Sequence, residues 1–165
     1  MSTPRDPVAA ADDEARALAR GLMALGHAAL AVTDPADGTP GISRIAFGLT
    51  PEGLPLTLVS SLAPHFAALA ANPDCALMLG EAGAKGDPLT HPRLMVKARA
   101  EFVAAGDPAR AALRDHWVQT HPKSKLYVDF ADFAFVRLHP VSALLNGGFA
   151  RAYRLGPSDL LPPRP

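Results

Sequence analysis

Cysteine is almost missing from this sequence of 165 residues, in which Cys75 is the only one. A single cysteine excludes an internal disulfide framework and any metal site built from several cysteines. Neither sign of charge is in excess, because 16 lysines and arginines stand against 16 aspartates and glutamates. A neutral chain has no overall field that would draw it to nucleic acid or to a membrane, so any electrostatic attraction must be local.

Long apolar runs are missing as well. No window approaches the ~18 consecutive apolar residues that a membrane-spanning helix needs, and the acidic start of the chain lacks the apolar core of a secretory signal. Aromatic residues do not alternate with basic ones, which argues against base stacking on nucleic acid. We therefore expect a cytoplasmic protein that binds neither nucleic acid nor membranes.

What is present is a series of short periodic segments separated by turns. Apolar residues three and four apart over 8–26 predict an amphipathic helix, and further helices are expected to start at Pro64 and Pro108. Alternating or short apolar runs between turn residues predict strands at 28–33, 41–49, 54–61, 75–81, 93–103, 133–138 and, interrupted at a glycine pair, 141–155. The sequence predicts one α+β domain over 1–165, a small barrel of six to seven antiparallel strands with flanking helices and a loose tail at about 156–165.

One group of candidate binding residues precedes the second predicted helix. Ser60 and Ser61 come just before its start, where free N–H groups and the helix dipole favour an anion, and His65 adds a cation in its first turn. This arrangement indicates a phosphate cradle. The alternative is ordinary capping of the helix by a serine beside a solvated histidine.

A second group lies on the strand that starts at Arg93. Strict alternation places Arg93, Lys97 and Arg99 on one face and the apolar residues on the other. Residues two apart on a strand are ~6.6 Å from each other, so this row of cations is able to line a flat anionic ligand. The alternative is a solvated outer face.

Two isolated arginines and the histidines complete the candidates. Arg44 interrupts an apolar strand, within reach of the strand end that carries Ser60, and its alternative is an outward-facing side chain on a half-wet sheet. Arg151 follows a glycine pair that lets the backbone approach a ligand, and its alternative is an exposed arginine on a bulged strand. The six histidines show no pair at metal-binding helical spacing, so we predict no metal site.

Five segments, in this order, carry a resemblance to a known family: SRIAF, LVSSLAPH, GDPLTHPRLMVKARAEF, HPKSKLYVDFADFAFVRLHP and NGGFARA. They resemble the FMN-binding split-barrel superfamily of pyridoxamine 5′-phosphate oxidase-like proteins, and more closely its short bacterial branch related to HugZ-type haem-utilisation proteins. The resemblance implies a split β-barrel and a homodimer that holds two FMN molecules in clefts at the dimer interface.

The resemblance also implies roles for individual residues. It assigns the FMN phosphate to the second strand, the end of the third strand and the first turn of the next helix, which here are Ser43, Arg44, Ser60, Ser61 and His65. It implies that Arg93 faces the flavin ring from the partner chain, that Asn146 lies beside the ring and that Arg151 lies over the substrate side. Lys97, from the same row of cations as Arg93, is also a candidate cofactor-binding residue. The sequence departs from the family at Phe66-Ala67-Ala68, where a threonine and a basic or polar residue are common.

Three functional hypotheses follow. The first is an FMN-binding flavoprotein, an oxidoreductase that acts as a homodimer on a small molecule or electron partner, with cations holding the phosphate and no catalytic residue assigned. The second is haem binding or haem transfer on the same fold, with one of the histidines as axial ligand. The third is a dimeric binding module that has lost its cofactor, which the departure at Phe66-Ala67-Ala68 favours.

Overall fold

The computed structural model of the protein describes residues 7–161, which form nine strands and four α-helices. The strands are β1 (Val8–Ala10), β2 (His27–Thr33), β3 (Pro40–Ala46), β4 (Gly48–Leu49), β5 (Pro55–Ser60), β6 (Asp74–Leu79), β7 (Arg93–Phe102), β8 (Phe133–Asn146) and β9 (Ala152–Leu155). The helices are α1 (Asp13–Met23), α2 (Pro64–Ala71), α3 (Arg110–Thr120) and α4 (Pro157–Leu160).

The strands form one mixed sheet in the order β1-β9-β8-β7-β6-β2-β3, with β5 on the other part of β8 and β4 paired to β5. All pairs are antiparallel except β1 with β9, which is parallel. Strand β8 is 14 residues long, so it pairs with two strands along the same edge. Its first part pairs with β5 and its last part pairs with β9. The α+β class predicted from the sequence is confirmed.

Backbone pairing does not close the barrel. Strand β3 ends the sheet at one edge, and the chain bends at Phe47 into β4, which pairs β5 instead. A side chain joins the two edges, because the Thr57 hydroxyl on β5 donates to the Ala46 carbonyl oxygen on β3 across 2.6 Å. Thr57 is fully buried. The opening is therefore bridged by a hydrogen bond that also satisfies a buried polar group.

The barrel interior holds the main core. Every second residue of β7 points inward, so Leu94, Val96 and Ala98 are buried while Lys97 and Arg99 are exposed. Helix α1 covers one end of the barrel with Ala15, Ala19 and Met23, and a smaller cluster of buried residues forms around Trp117 of α3. Trp117 stacks on His121 with ring centroids 3.9 Å apart.

Two sequence-based predictions about the ends of the chain need correction. The helix predicted over 8–26 spans only Asp13–Met23, because Asp12 caps it through the Ala15 amide, and Val8–Ala10 instead pair with β9. The predicted loose tail includes α4, whose Leu160 is buried in the core, while residues 162–165 lie outside the described part. These contacts are long-range, so local periodicity does not reveal them.

The predicted strand count is also low, since the structure has nine strands rather than six or seven. The extra ones are short: β1 has three residues and β4 has two. In contrast, the segments predicted as separate strands at 133–138 and 141–155 are joined, because β8 continues through Pro140 with an irregular register opposite Lys97 and Ala98. A bulge accommodates the proline without ending the strand.

Candidate functional site

The junction between β5 and α2 brings Ser60 and Ser61 against Asp132, a residue the sequence did not single out. The Ser60 hydroxyl donates to a carboxylate oxygen of Asp132 at 2.6 Å, and the Ser61 amide donates to the Asp132 carbonyl oxygen at 2.7 Å. Ser60 Oγ also accepts the Leu62 amide at 3.2 Å. The N-cap of α2 is Ala63, with no side-chain hydrogen bond, so neither serine caps the helix in the usual way.

His65 lies in the first turn of α2 as a half-buried side chain. Burial lowers the pKa of His65 below its ordinary value, which favours the neutral imidazole. Within residues 7–161 neither of its ring nitrogens makes a hydrogen bond. Only His116 shares this property, and four other histidines are bonded: His27 to Glu81, His91 to the loop at 83–85, His121 to Gly26 and Thr120, and His139 to Glu101.

The residue after His65 turns inward. Phe66 packs against the core and meets the ring of Phe102 edge-on, with centroids 4.8 Å apart. Ala68 is buried as well. At two positions of the departure, Phe66 and Ala68, the side chains therefore pack inward, while Ala67 is exposed, and the first turn of α2 presents His65 as its single polar side chain.

Strand β3 places Ser43 and Arg44 on opposite faces of the sheet. Ser43 pairs in register with the buried Leu30, whereas the Arg44 side chain is 79% exposed and lies 3.6 Å from a carboxylate oxygen of Glu81. The same carboxylate accepts His27 at 2.8 Å, and the pKa of Glu81 is lowered mainly by that bond. These three residues line an open cleft of about 360 Å³. The expected reach of Arg44 toward Ser60 is thus replaced by pairing with Glu81.

A third group forms where β7 begins and β8 ends. Arg93 and Asn146 are directly opposite each other across these strands. The Arg93 guanidinium donates to the Leu89 carbonyl oxygen at 2.9 Å, which fixes the loop before β7. Asn146 accepts the Gly148 amide through its side-chain oxygen at 3.1 Å. The two residues that the resemblance assigns to the ring are therefore neighbours in the structure.

Arg151 closes the turn that follows Asn146. Its backbone N–H donates to the Gly148 carbonyl oxygen at 3.2 Å, and Ala150 has a φ of 57°, a left-handed conformation uncommon for alanine. The Arg151 guanidinium donates to a carboxylate oxygen of Glu14 on α1 at 2.8 Å. Hydrogen bonds with Tyr153 and Glu14 raise the pKa of Arg151. The arginine predicted to lie over a substrate is engaged by α1 in this structure.

The first and third groups lie at opposite ends of β8. Ser60 pairs with Phe133, the first residue of that strand, and Arg93 pairs with Asn146, the last. Thirteen residue steps correspond to roughly 40 Å of extended strand. This contour length is an upper limit on the distance between the two groups, because a twisted strand in a barrel brings its ends closer together.

The outer face of the sheet carries a row of apolar side chains that the sequence did not predict. Cross-strand pairing aligns Ala29, Met78, Met95 and Leu144 on β2, β6, β7 and β8. Met78 is 49% exposed and Leu144 is 38% exposed. Lys97 lies in the adjacent row, opposite Ala76 and Ser142. This surface is hereafter the outer apolar face. Its residues belong to strands far apart in the sequence, so alternation within one strand shows only a fragment of it.

Residues 7–161 contain neither a metal-binding cluster nor a membrane-spanning helix. No three histidine, cysteine, aspartate or glutamate side chains come together in a way that would hold a metal ion. None of the helices in this part of the chain has the length and apolar character needed to cross a membrane.

The open antiparallel barrel, with α2 inserted after β5, defines the class of the protein as a split barrel. The sequence profile of the pyridoxamine 5′-phosphate oxidase family matches residues 12–146. That match covers most of the chain, and the protein belongs to this family. The resemblance stated from the sequence is confirmed.

Among individual proteins, the non-canonical heme oxygenase HOZ of the Arabidopsis thaliana chloroplast is 33% identical over 117 residues, or 71% of this chain and 35% of that protein. The structure of the protein Atu2129 from Agrobacterium tumefaciens is similar with a TM-score of 0.79 and 30% identity, covering 99% of this chain and 65% of that one. A heme binding protein from Mycobacterium smegmatis has a TM-score of 0.79 and 25% identity, covering 91% and 61%. The chain thus spans about a third of the curated relative's length.

Proposed function

We propose that this protein binds haem, with His65 as the axial ligand to the iron. The observation that carries the proposal is the environment of His65: it is half-buried and makes no hydrogen bond in residues 7–161, and its burial lowers its pKa and so favours the neutral imidazole. A neutral imidazole nitrogen with a free lone pair is what haem iron requires. When bound, haem supplies one-electron and oxygen chemistry that depends on its axial ligand.

The relatives support this choice over the other hypotheses. The curated relative is named as a heme oxygenase, and the similar structure from Mycobacterium smegmatis is named as a heme binding protein. Both names refer to haem, and the chain matches part of each of those proteins.

FMN is the second candidate, and the observation in its favour is the Arg93–Asn146 pair, which offers a cation and an amide to a ring edge. Its phosphate fits poorly at the β5–α2 junction. The Ser60 hydroxyl and the Ser61 amide are both taken by Asp132, and Phe66 points into the core. An oxidoreductase that depends on FMN would need those donors for the phosphate.

We also propose that two copies pair through the outer apolar face. Contiguous exposed apolar surface of this kind is typical of protein interfaces, and Met78, Met95 and Leu144 form such a strip. A second copy would also explain how one ligand could contact both His65 and Arg93, which lie at opposite ends of β8 within a chain. In that arrangement Arg93 of the second copy would balance the haem propionates.

Titration of the purified protein with haemin, FMN and riboflavin tests the proposal. Haemin is expected to saturate at one per chain and to give the sharpened Soret band of a histidine-ligated haem. The wild-type protein is expected to bind FMN no more tightly than riboflavin. Saturable FMN binding with no saturable haemin band would reverse the order of the two candidates.

A further inference from the structure

We propose that Asp132 is a specificity-determining residue that excludes phosphate-bearing flavins from the β5–α2 junction. The inference rests on the proposed function in placing the cofactor beside Ser60 and His65. It goes further in naming a class of ligand that this site rejects, and the side chain that rejects it. On this proposal, the Asp132 side chain is the cause of the poor fit of the FMN phosphate.

The Ser60 hydroxyl acts as a donor to Asp132. A serine hydroxyl has one proton to donate, and Ser60 donates it to the Asp132 carboxylate at 2.6 Å. A phosphate dianion brings acceptors only, so it gains nothing from a hydroxyl whose proton is committed. To bind phosphate, Ser60 would have to turn its proton away and leave the carboxylate unpaired.

A phosphate bound at Ser60 would also lie close to the negative charge of the Asp132 carboxylate. A phosphate oxygen bonded to Ser60 Oγ would lie one hydrogen bond from that atom, and the Asp132 oxygen lies 2.6 Å from the same atom. The two anionic oxygens would be no more than about 5.5 Å apart, which is within the range where like charges repel measurably near a protein surface.

Among the described residues, no cation pairs with the Asp132 carboxylate. The side-chain bonds of Asp132 lead to Ser60, and its carbonyl oxygen accepts the Ser61 amide, so no arginine or lysine neutralises the carboxylate there. By contrast, Asp129 in the same segment is held by Arg114 at 2.7 Å. The phosphate would therefore meet an uncompensated negative charge.

The test compares FMN with riboflavin, which differ by the phosphate, on the wild-type protein and on Asp132→Asn. Asparagine keeps the shape and an acceptor for Ser60 but removes the charge. Asp132→Asn is expected to tighten FMN binding about tenfold, the effect of one such repulsion, and to leave riboflavin binding unchanged. Flavin fluorescence quenching gives both dissociation constants.

Asp37→Asn serves as the matched control, because it removes the same charge from the turn between β2 and β3, where Asp37 bonds only Thr39. It is expected to change neither constant. Equal FMN binding by wild type and Asp132→Asn, or an equal gain for FMN and riboflavin, would overturn the inference. So would undetectable flavin binding by both proteins. Haemin titration of the same samples reports separately on the proposed function, since haem lacks a phosphate.

Discussion

Thr57 donates its hydroxyl proton to the carbonyl oxygen of Ala46 across 2.6 Å, and this bond joins β5 to β3 where no backbone ladder links them in the described sheet. Thr57 is fully buried, so its hydroxyl has no access to water as a substitute partner. The two edges of the split barrel are therefore held by one buried side-chain contact together with the packing beneath it.

Thr57→Val is expected to destabilise the protein by about 1–3 kcal/mol, because the shape of the buried side chain is kept while the Ala46 carbonyl loses its side-chain donor. Urea unfolding followed by tryptophan fluorescence measures the change. Thr33→Val is the control, since Thr33 lies on the neighbouring strand β2 but is exposed. A stability of Thr57→Val equal to that of Thr33→Val would show that the contact does not hold the edges.

The short helix α4 is expected to make the stability of the protein depend on acidic pH. Hydrogen bonds from Arg16 and from the Gly156 amide lower the pKa of Asp159 below its ordinary value of 3.8. A carboxylate with a depressed folded-state pKa stabilises the fold above its ordinary pKa, and this contribution disappears as the pH falls through the folded value.

Asp159→Asn removes that contribution. Its melting temperature is expected to be a few degrees below that of wild type at neutral pH, with the difference shrinking steadily below about pH 4. Asp115→Asn, on the exposed face of α3, provides the comparison for loss of a surface carboxylate. A gap between wild type and Asp159→Asn that stays constant down to pH 2 would contradict this account.

The outer apolar face makes a prediction about oligomeric state. Met78→Glu places a charge in the middle of the Ala29–Met78–Met95–Leu144 row, where a paired copy would have to bury it. Light scattering coupled to gel filtration is expected to give a dimer for wild type and a monomer for Met78→Glu. Leu126→Glu, which adds the same charge at an exposed leucine of the turn at 122–126, should remain a dimer. A monomeric wild type would remove the proposed interface.

The sequence predicted most of the features that depend on residues close together in the chain. The alternation from Arg93 to Phe102 identified β7 and its inward face, and the proline and apolar stripe after Ser61 identified α2. The family resemblance identified the split barrel. These features follow from periodicity and turn chemistry, which neighbouring residues carry.

What the sequence did not predict depends on residues far apart in the chain. Asp132 meets Ser60 across 72 residues, and Glu81 draws Arg44 and His27 together only once β2, β3 and β6 are paired. Strand β1 forms because β9 offers it an edge 144 residues later. The one available signal for Asp132 is that it is the second of two acidic residues in the segment VDFADF and comes directly before a predicted strand, where a carboxylate suggests a partner at the neighbouring strand end.

The most direct test of the central claim is the visible spectrum of the protein during haemin titration, measured for wild type, His65→Ala and His116→Ala. His116 is the matched control, because it is the other histidine without a hydrogen bond in residues 7–161 and is also partly buried. Wild type and His116→Ala are expected to saturate with the same Soret band, while His65→Ala loses that band and binds haemin at least about tenfold more weakly, the loss of one coordinating ligand. A His65→Ala spectrum and affinity equal to those of wild type would contradict His65 as the axial ligand.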